Sequence, residues 1–318
     1  MRANFALAFL ILLLPVATAF GAWEKQPSGV LIRLRTIAFR DSLNGIIGGA
    51  KGENLVTTDG GRTWKKGAKF TPDAILSIHF SDANNGWALC ERDVFSLGDR
   101  APSYVMRTTD GGKTWRRSEF EESKRKRITS LVFTGNGFGV AIGEMGTFYA
   151  LSEDLKSWKK QRSPTAFLLR DGAFADEFTG ALVGGGGTIL VTEDAGVSWI
   201  EPVINQKSTE MLRAARWANN RDGWVAGNGG KIYQTTNGGR SWRPQKTPLA
   251  KNLNGLYFES NARGWAVGDG GTILVTQTGG NIWAKEIVPT RNNIDAIASN
   301  GKTIFAVGFG GTILRNGE

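Results

Sequence analysis

Short apolar runs separated by turn residues repeat along the whole chain. The clearest copy consists of NLNGLYF, ESNARG, WAVG, DGG, TILVTQ and TGGN, and it ends at Trp283. Apolar runs of about four to seven residues, bounded by Gly, Asp and Asn, are typical of β-strands joined by tight turns. Each copy therefore predicts four short strands. No stretch after the first twenty or so residues has the spacing of an amphipathic helix.

Seven tryptophans give the period of this pattern, at separations of 41, 51, 43, 41, 43 and 41 residues: Trp23, Trp64, Trp115, Trp158, Trp199, Trp242 and Trp283. A repeat of about 40 residues with four strands predicts a propeller blade. Seven first-strand runs follow the same order, starting at Leu34, Ile75, Ile128, Leu169, Leu212, Leu253 and Ile294. The sequence thus predicts an all-β, seven-bladed β-propeller with four-stranded blades, formed as a single domain by residues 20–318.

The seventh blade lacks a fourth strand of its own. After Ile294 only TIFAVG and GGTILRNGE remain, and no tryptophan closes them. The segment around Trp23 stands before the first inner strand at the distance that the other tryptophans keep from theirs. We therefore expect the N-terminal strand to close the last blade, which also removes an exposed sheet edge.

The first residues, MRANFALAFLILLLPVATA, have a basic start, an apolar run and small residues at the end. This pattern predicts a signal peptide over residues 1–19 and therefore export across the inner membrane, to the periplasm in a bacterium. An uncleaved membrane anchor is the alternative, although the run is shorter than the ~20 residues that span a bilayer. After cleavage we expect no membrane-spanning segment.

Composition narrows the picture further. The 43 glycines and 11 tryptophans suit many short strands joined by tight turns. Cys90 is the only cysteine, so stability depends on packing, and its apolar surroundings predict a buried side chain. The formal net charge of +10 favours an acidic or anionic partner.

A recurring box, TTDGGRTW at residues 57–64, connects the third and fourth strands of a blade. An aspartate there accepts backbone N–H groups of its own turn, the glycines permit left-handed backbone, and the tryptophan packs between neighbouring blades. A site for chemistry needs one asymmetric set of groups rather than equivalent copies. We therefore interpret the box as a structural clip.

Arginines depart from the repeat at the start of the inner strands. One aligned position contains Arg35, Leu76, Thr129, Arg170, Arg213, Asn254 and Asp295, and the position two residues earlier contains Arg33, Ala74, Arg127, Leu168, Met211, Asn252 and Asn293. Inner strands begin at the face where blades are joined, so Arg33, Arg35, Arg127, Arg170 and Arg213 should converge at the mouth of the central channel. Guanidinium groups bind carboxylates, phosphates and acidic peptides well. Alternatively, some of these arginines pair with acidic neighbours, such as Asp171 or Asp295, and hold the channel together.

Two further features belong to the same face. Lys124–Arg127 reads KRKR, which is either part of a basic face or a solvated loop. The second blade has about ten extra residues, in a loop from Glu91 to Tyr104. Such insertions either line a binding face or are tolerated surface excursions. We interpret this loop as a side wall of the partner site.

The boxes are similar to the Asp-box, or BNR, repeats of sialidases, some glycoside hydrolases and sortilin-type receptors. The longer phrase GWAVGDGGTILVTQTGGNIW, Gly264–Trp283, resembles the photosystem II stability and assembly factor family of seven-bladed propellers, and this resemblance covers residues 20–318. It implies a non-enzymatic scaffold that helps to assemble a membrane protein complex, and we expect the chain itself to be a monomer. In photosynthetic organisms it implies binding to the newly made D1 reaction-centre subunit in the thylakoid lumen. The absence of a cysteine after the apolar run departs from the lipid-anchored relatives.

A secreted glycoside hydrolase or sialidase-like, carbohydrate-binding propeller is the alternative function. Sialidases need a tyrosine nucleophile with an acidic partner. Of Tyr104, Tyr149, Tyr233 and Tyr257, three are expected in regular strands and none in such a setting. The single histidine, His79, and single cysteine predict no zinc site and no catalytic triad. We expect no enzyme activity, no cofactor and no metal, and no specific nucleic-acid partner.

Overall fold

The computed structural model describes residues 22–93, 95, 102–120 and 127–317. The predicted signal peptide at residues 1–19 and Lys124–Lys126 of the basic run lie outside the described residues. The regular elements of the described ranges are β-strands and single 3-10 turns. Within these ranges, no helix has the length and apolarity needed to cross a membrane.

The strands form seven blades, numbered I to VII along the chain, each built from consecutive antiparallel neighbours. Blade I contains β2 (Leu34–Phe39), β3 (Gly45–Gly49), β4 (Asn54–Thr57) and β5 (Lys65–Lys66), and blade II contains β6 (Ala74–Phe80), β7 (Gly86–Glu91), β8 (Ser103–Thr108) and β9 (Arg116–Phe120). Blade III contains β10 (Ile128–Phe133), β11 (Gly139–Gly143), β12 (Phe148–Leu151) and β13 (Ser157–Lys160), and blade IV contains β14 (Leu169–Phe174), β15 (Gly180–Gly184) and β16 (Ile189–Thr192).

Blade V contains β18 (Leu212–Trp217), β19 (Gly223–Gly227), β20 (Ile232–Thr235) and β21 (Ser241–Gln245), preceded by the short strand β17 (Val203–Ile204). Blade VI contains β22 (Leu253–Phe258), β23 (Gly264–Gly268), β24 (Thr272–Thr276) and β25 (Ala284–Lys285). Blade VII contains β26 (Ile294–Ser299), β27 (Ile304–Gly308), β28 (Thr312–Asn316) and β1 (Glu24–Gln26). The seven-bladed propeller is confirmed, and six of its inner strands begin where the sequence predicted.

The N-terminal strand closes the ring as predicted. Strand β1 pairs antiparallel with β28, with Glu24 opposite Arg315 and Gln26 opposite Ile313. The preceding Trp23 is buried in a cluster that combines blade VI residues, such as Trp265, with blade VII residues. The first described strand thus completes the last blade and fills the contact between blades VI and VII.

The tryptophans that close the boxes also fill contacts between blades. Trp64 packs edge-on against Phe305 of blade VII, with ring centroids 6.0 Å apart. Trp242 is almost fully buried in a cluster that joins blades IV and V. Trp158 stacks on Phe120 of blade II, 5.5 Å away. The predicted packing role is therefore confirmed.

Blade IV departs from the predicted four strands. Its fourth strand is reduced to a single antiparallel bridge between Val191 and Ile200. In other blades, the residue three after the box tryptophan donates its N–H to the third strand: Gly67 to Asn54, Gln161 to Phe148 and Glu286 to Ile273. The same position in blade IV is Pro202, which has no N–H to donate. The fourth strand of blade IV is therefore shortened to one pair, because the proline ends the ladder.

The glycine pairs between the second and third strands have a specific structural reason. In blade IV the third residue of this turn, Gly187, has φ of 65°, and a Cβ there would lie 1.7 Å from the carbonyl oxygen of Ser208. Ser208 belongs to the segment that leads to the next blade. Only glycine tolerates both this backbone and this close approach. These turns therefore lie at the blade-joining face, together with the start of every inner strand.

Candidate partner-binding site

Every inner strand has a β-bulge at its second or third residue. The register shifts between the residues on either side of one unpaired position in all seven blades. The unpaired residues are Arg35, Leu76, Thr129, Arg170, Arg213, Asn254 and Asp295, the first position aligned from the sequence. A bulge leaves its extra residue outside the ladder and re-aims the side chain. The repeat thus holds seven side chains of five residue types, three of them arginines, at the channel mouth.

The arginines of this ring influence one another electrostatically. Burial lowers the pKa of Arg35, and the positive charges of Arg33 and Arg170 lower it further. Burial also lowers the pKa of Arg170, with a further decrease from Arg213 and Arg127 against the opposing effect of Asp171. Blades I and IV lie on different sides of the ring, so this coupling acts across the mouth. The structure therefore brings the five predicted arginines together.

Arg35 and Arg170 have no ion-pair or hydrogen-bond partner among the described residues. The Nε of Arg35 is buried without an acceptor. Arg213 donates its Nε to Oδ1 of Asn228 over 2.5 Å, and no contact engages its two terminal amino groups within the described ranges. These three residues, which we call the open arginines, present unused N–H donors at the mouth.

Arg33 and Arg127 are instead bound to carboxylates. Arg33 donates from Nε and Nη2 to the two carboxylate oxygens of Asp295, both over 2.6 Å, and this contact raises its pKa. Arg127 pairs with Glu91 and, over 3.5 Å, with Glu144. The alternative interpretation from the sequence thus describes these two arginines. Their role in partner binding stays a prediction.

Other ring positions tie neighbouring blades to one another. Thr129 donates its hydroxyl to the carbonyl oxygen of Leu169 over 2.5 Å. Asn254 donates to the carbonyl oxygen of Ile294 over 3.0 Å and to Asp269 over 3.1 Å. The mouth is therefore asymmetric. Its side chains on blades III, VI and VII are engaged within the ring, whereas the open arginines come from blades I, IV and V.

Sequence reasoning missed three residues that accept contacts from the mouth side chains: Asn228 binds Arg213, Glu144 pairs with Arg127 and Asp269 binds Asn254. Asn228, Glu144 and Asp269 each occupy the first position of the turn between the second and third strands. The backbone N–H of each donates to the carbonyl oxygen of the residue two before the bulge, for example from Glu144 to Arg127 over 3.0 Å. A signal was present in the sequence, because this position precedes the glycines of each DGG-like turn.

Asp171, which the sequence offered as an acidic partner for the mouth arginines, is bound by other residues. It accepts hydrogen bonds from the backbone N–H of Ala215 over 3.2 Å, from Nη1 of Arg216 over 3.1 Å and from the hydroxyl of Ser130 over 3.1 Å. Its ion pair is with Arg216 and not with Arg170. This carboxylate therefore connects blades III, IV and V through hydrogen bonds and leaves Arg170 unpaired.

The long loop of blade II starts at the mouth. Its two ends extend the hairpin, with Glu91 opposite Ser103, and Arg92 donates its backbone N–H to Pro102 over 2.9 Å. Glu91 also contacts Arg127, which connects the loop to the arginine ring. Residues 94 and 96–101 lie outside the described residues, so the predicted side wall stays a prediction.

The boxes lie at the opposite end of the blades and have the predicted clip geometry. In blade II, Asp110 accepts the backbone N–H of Thr114 over 2.9 Å and its hydroxyl over 2.6 Å, and Thr108 donates to the same carboxylate over 2.8 Å. These bonds, led by that from the Thr114 side chain, lower the pKa of Asp110 to about 2. Each carboxylate is consumed by its own turn.

The residues considered for catalysis are packed into the structure. All four tyrosines lie in strands, one more than predicted, and Tyr104 does have an acidic partner, since its hydroxyl donates to Asp73 over 2.7 Å. Burial raises the pKa of Tyr104, which disfavours the phenolate that a nucleophile requires. His79 stacks on Phe133 at 4.4 Å, and burial lowers its pKa to about 4, so it is neutral at pH 7.

Cys90 is fully buried, as predicted, and burial raises its pKa to about 12. A thiol with this pKa stays protonated at neutral pH. No group of three or more His, Cys, Asp or Glu side chains in the described ranges is arranged to hold a metal ion.

Comparison with protein families supports the resemblance seen in the sequence. The family model of the photosynthesis system II assembly factor YCF48 matches residues 150–256, and the BNR/Asp-box repeat matches residues 55–66. The resemblance to this family of propellers is therefore confirmed. No curated protein sequence matches the chain significantly.

Solved structures share the complete fold. YCF48 from Cyanidioschyzon merolae has a TM-score of 0.75 at 19% identity and covers 93% of this chain and 99% of its own. A structure of YCF48 bound to D1 peptide has a TM-score of 0.72 at 21% identity and covers 94% of this chain and 100% of its own. Catalytically inactive virginiamycin B lyase from Staphylococcus aureus with quinupristin has a TM-score of 0.76 at 13% identity, with 93% and 99% coverage.

Proposed function

We propose that this chain is a non-enzymatic, exported scaffold that binds an acidic segment of a protein partner at the channel mouth. The observation that carries the proposal is the set of open arginines, Arg35, Arg170 and Arg213. Two of them have no ion-pair partner within the described ranges, although burial disfavours their charge. Arg35 is half-buried, so its charge without a counter-ion is costly and an incoming carboxylate removes that cost, whereas the side chain of Arg170 is exposed at the mouth and accessible to a ligand.

The chemistry of the open arginines favours a carboxylate-rich peptide. Each guanidinium offers a planar set of donors that matches a carboxylate in a bidentate arrangement. Three such groups from three blades match a short acidic stretch better than a single anion. The excess of cations over the whole chain, +10, attracts the same class of partner over longer distances.

The similar structures suggest what kind of protein the partner is. A YCF48 structure contains a D1 peptide, and the matching family model describes photosystem II assembly. By analogy, the partner of this chain is a segment of a membrane protein complex, bound while the complex is assembled. The chain acts as a monomer in the periplasm, or in the thylakoid lumen if its source is photosynthetic. Here Arg33 and Arg127 contribute only after exchanging their present ion pairs for contacts with the partner.

Enzymes with the same fold supply the alternative function. Besides the lyase, a GH74 xyloglucanase from Xanthomonas campestris has a TM-score of 0.70 at 13% identity and covers 93% of this chain and 53% of its own. Against catalysis stand the carboxylates consumed by box turns and the raised pKa of Tyr104. Hydrolysis of a fluorogenic sialoside or xyloglucan oligosaccharide by the purified protein, lost on a single carboxylate substitution, would establish the enzyme instead.

Binding of a fluorescein-labelled decapeptide with a central run of glutamates tests the proposal. The variant R35A/R170A/R213A should bind it at least about tenfold more weakly and with a reduced dependence on salt. The control R62A/K113A/K156A removes the same charge from exposed side chains of the box turns. If both variants bind equally, net charge rather than the mouth attracts the peptide, and the proposal is wrong.

A further inference from the structure

Blade IV has a surface chemistry opposite to that of the mouth. Residues 171–206 contain six acidic residues and no lysine or arginine, in a chain with a net charge of +10. The acidic residues are Asp171, Asp176, Glu177, Glu193, Asp194 and Glu201. Asp171 points into the channel network, so five carboxylates belong to the turns and outer edge of the blade.

The same part of the blade exposes large apolar side chains. Of the twelve exposed in the described ranges, four lie here: Phe178 at 60%, Val197 at 87%, Ile200 at 63% and Val203 at 66%. They are neighbours, since Ala195 of the box turn donates its N–H to Phe178 over 3.0 Å and Ile200 continues from that turn along the outer edge. Clusters of exposed apolar side chains mark interaction surfaces more often than single ones do.

Among blades I to VI, only blade IV has large aliphatic side chains at both of two outer positions; blade VI has the uncharged Asn281 and Ala284 there. The position of Val197 is occupied by Arg62, Lys113, Lys156 and Arg240 in blades I, II, III and V. The position of Ile200 is occupied in the same blades by Lys65, Arg116, Lys159 and Arg243. Charged residues on outer strands prevent sheets from associating edge to edge. Blade IV has replaced this protection with aliphatic side chains at both positions.

The charge beside the apolar side chains remains negative after local pairing. Glu193 pairs with Arg240 over 2.8 Å and Glu201 with Lys207 over 3.5 Å. Asp176 and Asp194 accept hydrogen bonds only from their own turns, and no described cation pairs with them or with Glu177. Phe178 and Val197 are therefore flanked by carboxylates without counter-ions.

We infer that Phe178, Val197, Ile200 and Val203, here called the blade IV patch, form a second docking surface for a basic segment of another protein. The patch favours a polypeptide whose apolar side chains alternate with lysine or arginine, since apolar contact and charge complementarity then act together. A second copy of this chain, docked patch to patch, would bring like charges together. With the mouth, the molecule has two surfaces of opposite charge, one near each end of the blades, for an acidic and a basic partner.

A test uses a labelled decapeptide of alternating leucine and lysine as the probe. Converting the patch to the pattern of blade I, V197R/I200K, introduces residues that the fold accepts at those positions and should weaken binding of the probe at least about tenfold. A peptide of alternating leucine and glutamate should bind the patch poorly. Unchanged affinity in V197R/I200K, or equal binding of the two peptides by the patch, would overturn the inference.

Two controls keep this result apart from the proposed function and from self-association. V197R/I200K should retain wild-type affinity for the glutamate peptide of the mouth, so the two surfaces succeed or fail independently. V197I preserves the apolar character and should bind the leucine–lysine probe like the wild type. Sedimentation velocity should give a monomer for both proteins. A wild-type oligomer that V197R/I200K dissociates would identify a second copy as the occupant and contradict the inference.

Discussion

The two ends of the blades, the box end and the mouth, use the same repeat in different ways. At the box end, Thr57 and Asp59, Thr108 and Asp110, and Thr192 and Asp194 make nearly identical bonds within their turns. At the mouth, the bulge places five different residue types in the seven blades, with arginine in three of them. At the box end, the polar groups bind one another within their own turns. At the mouth, the open arginines keep N–H donors that no described residue binds. In this fold, regularity accompanies stability and departures from it indicate where partners bind.

Removal of the N-terminal segment that closes the ring, Trp23 with β1 and here called the latch, should lower the stability of the fold most. A protein that starts at Pro27 lacks β1 and Trp23, and so loses three cross-strand pairs and a buried interblade ring. The loss exceeds the roughly 3–5 kcal/mol of a buried tryptophan. Thermal unfolding should occur at least roughly 10 °C lower than in a protein that starts at Phe20. An unchanged melting temperature would rule out the latch.

Truncation of one interblade tryptophan should have the next largest effect. W242A empties the contact between blades IV and V and removes the hydrogen bond from Nε1 to the carbonyl oxygen of Gly239, 2.9 Å long. We expect the free energy of unfolding to fall by about 3–5 kcal/mol. Denaturant titration measures this loss, and glutamate-peptide binding at low temperature should persist. Wild-type stability in W242A would show that these rings are not interblade cores.

The box carboxylates should give a smaller effect that depends on pH. Although burial opposes it, hydrogen bonding lowers the pKa of Asp59 to about 2, and Asp110 behaves alike. A lowered pKa stabilises the fold above the ordinary aspartate pKa near 4, and this contribution disappears as the pH falls to about 2. Blade V already uses Asn237, which does not titrate. D59N/D110N should therefore lose less stability than the wild type between pH 4 and pH 2 in denaturant titrations. An equal loss of stability in D59N/D110N and the wild type between pH 4 and pH 2 would contradict this role.

The sequence predicted the fold well because the fold is made of local signals. Glycines, aspartates and tryptophans recur at fixed spacing, and the inner strands from Leu34, Ile128 and Leu253 begin as predicted. The shortened outer strand of blade IV depends on one residue, Pro202, whose missing N–H does not show in a hydrophobic pattern. A search for proline at this register would have found it.

The candidate site was only partly predictable. Alignment found the arginine positions because the bulge recurs at a fixed place in each blade. It did not separate Arg33, which binds Asp295, from Arg170, which has no described partner. Ion pairing depends on which side chains face each other across blades, and these are far apart in the chain. Asp171 illustrates this, since it selects Arg216 rather than its neighbour Arg170.

The most direct test of the central claim compares R170A with R33A in one binding experiment. Both remove one arginine from the mouth, but Arg170 is unpaired among the described residues, whereas Arg33 holds Asp295. The account predicts that R170A weakens binding of the glutamate peptide with little change in stability, and that R33A affects binding less and lowers the free energy of unfolding by up to about 1 kcal/mol. Equal binding by R170A and the wild type, with a loss confined to R33A, would contradict it.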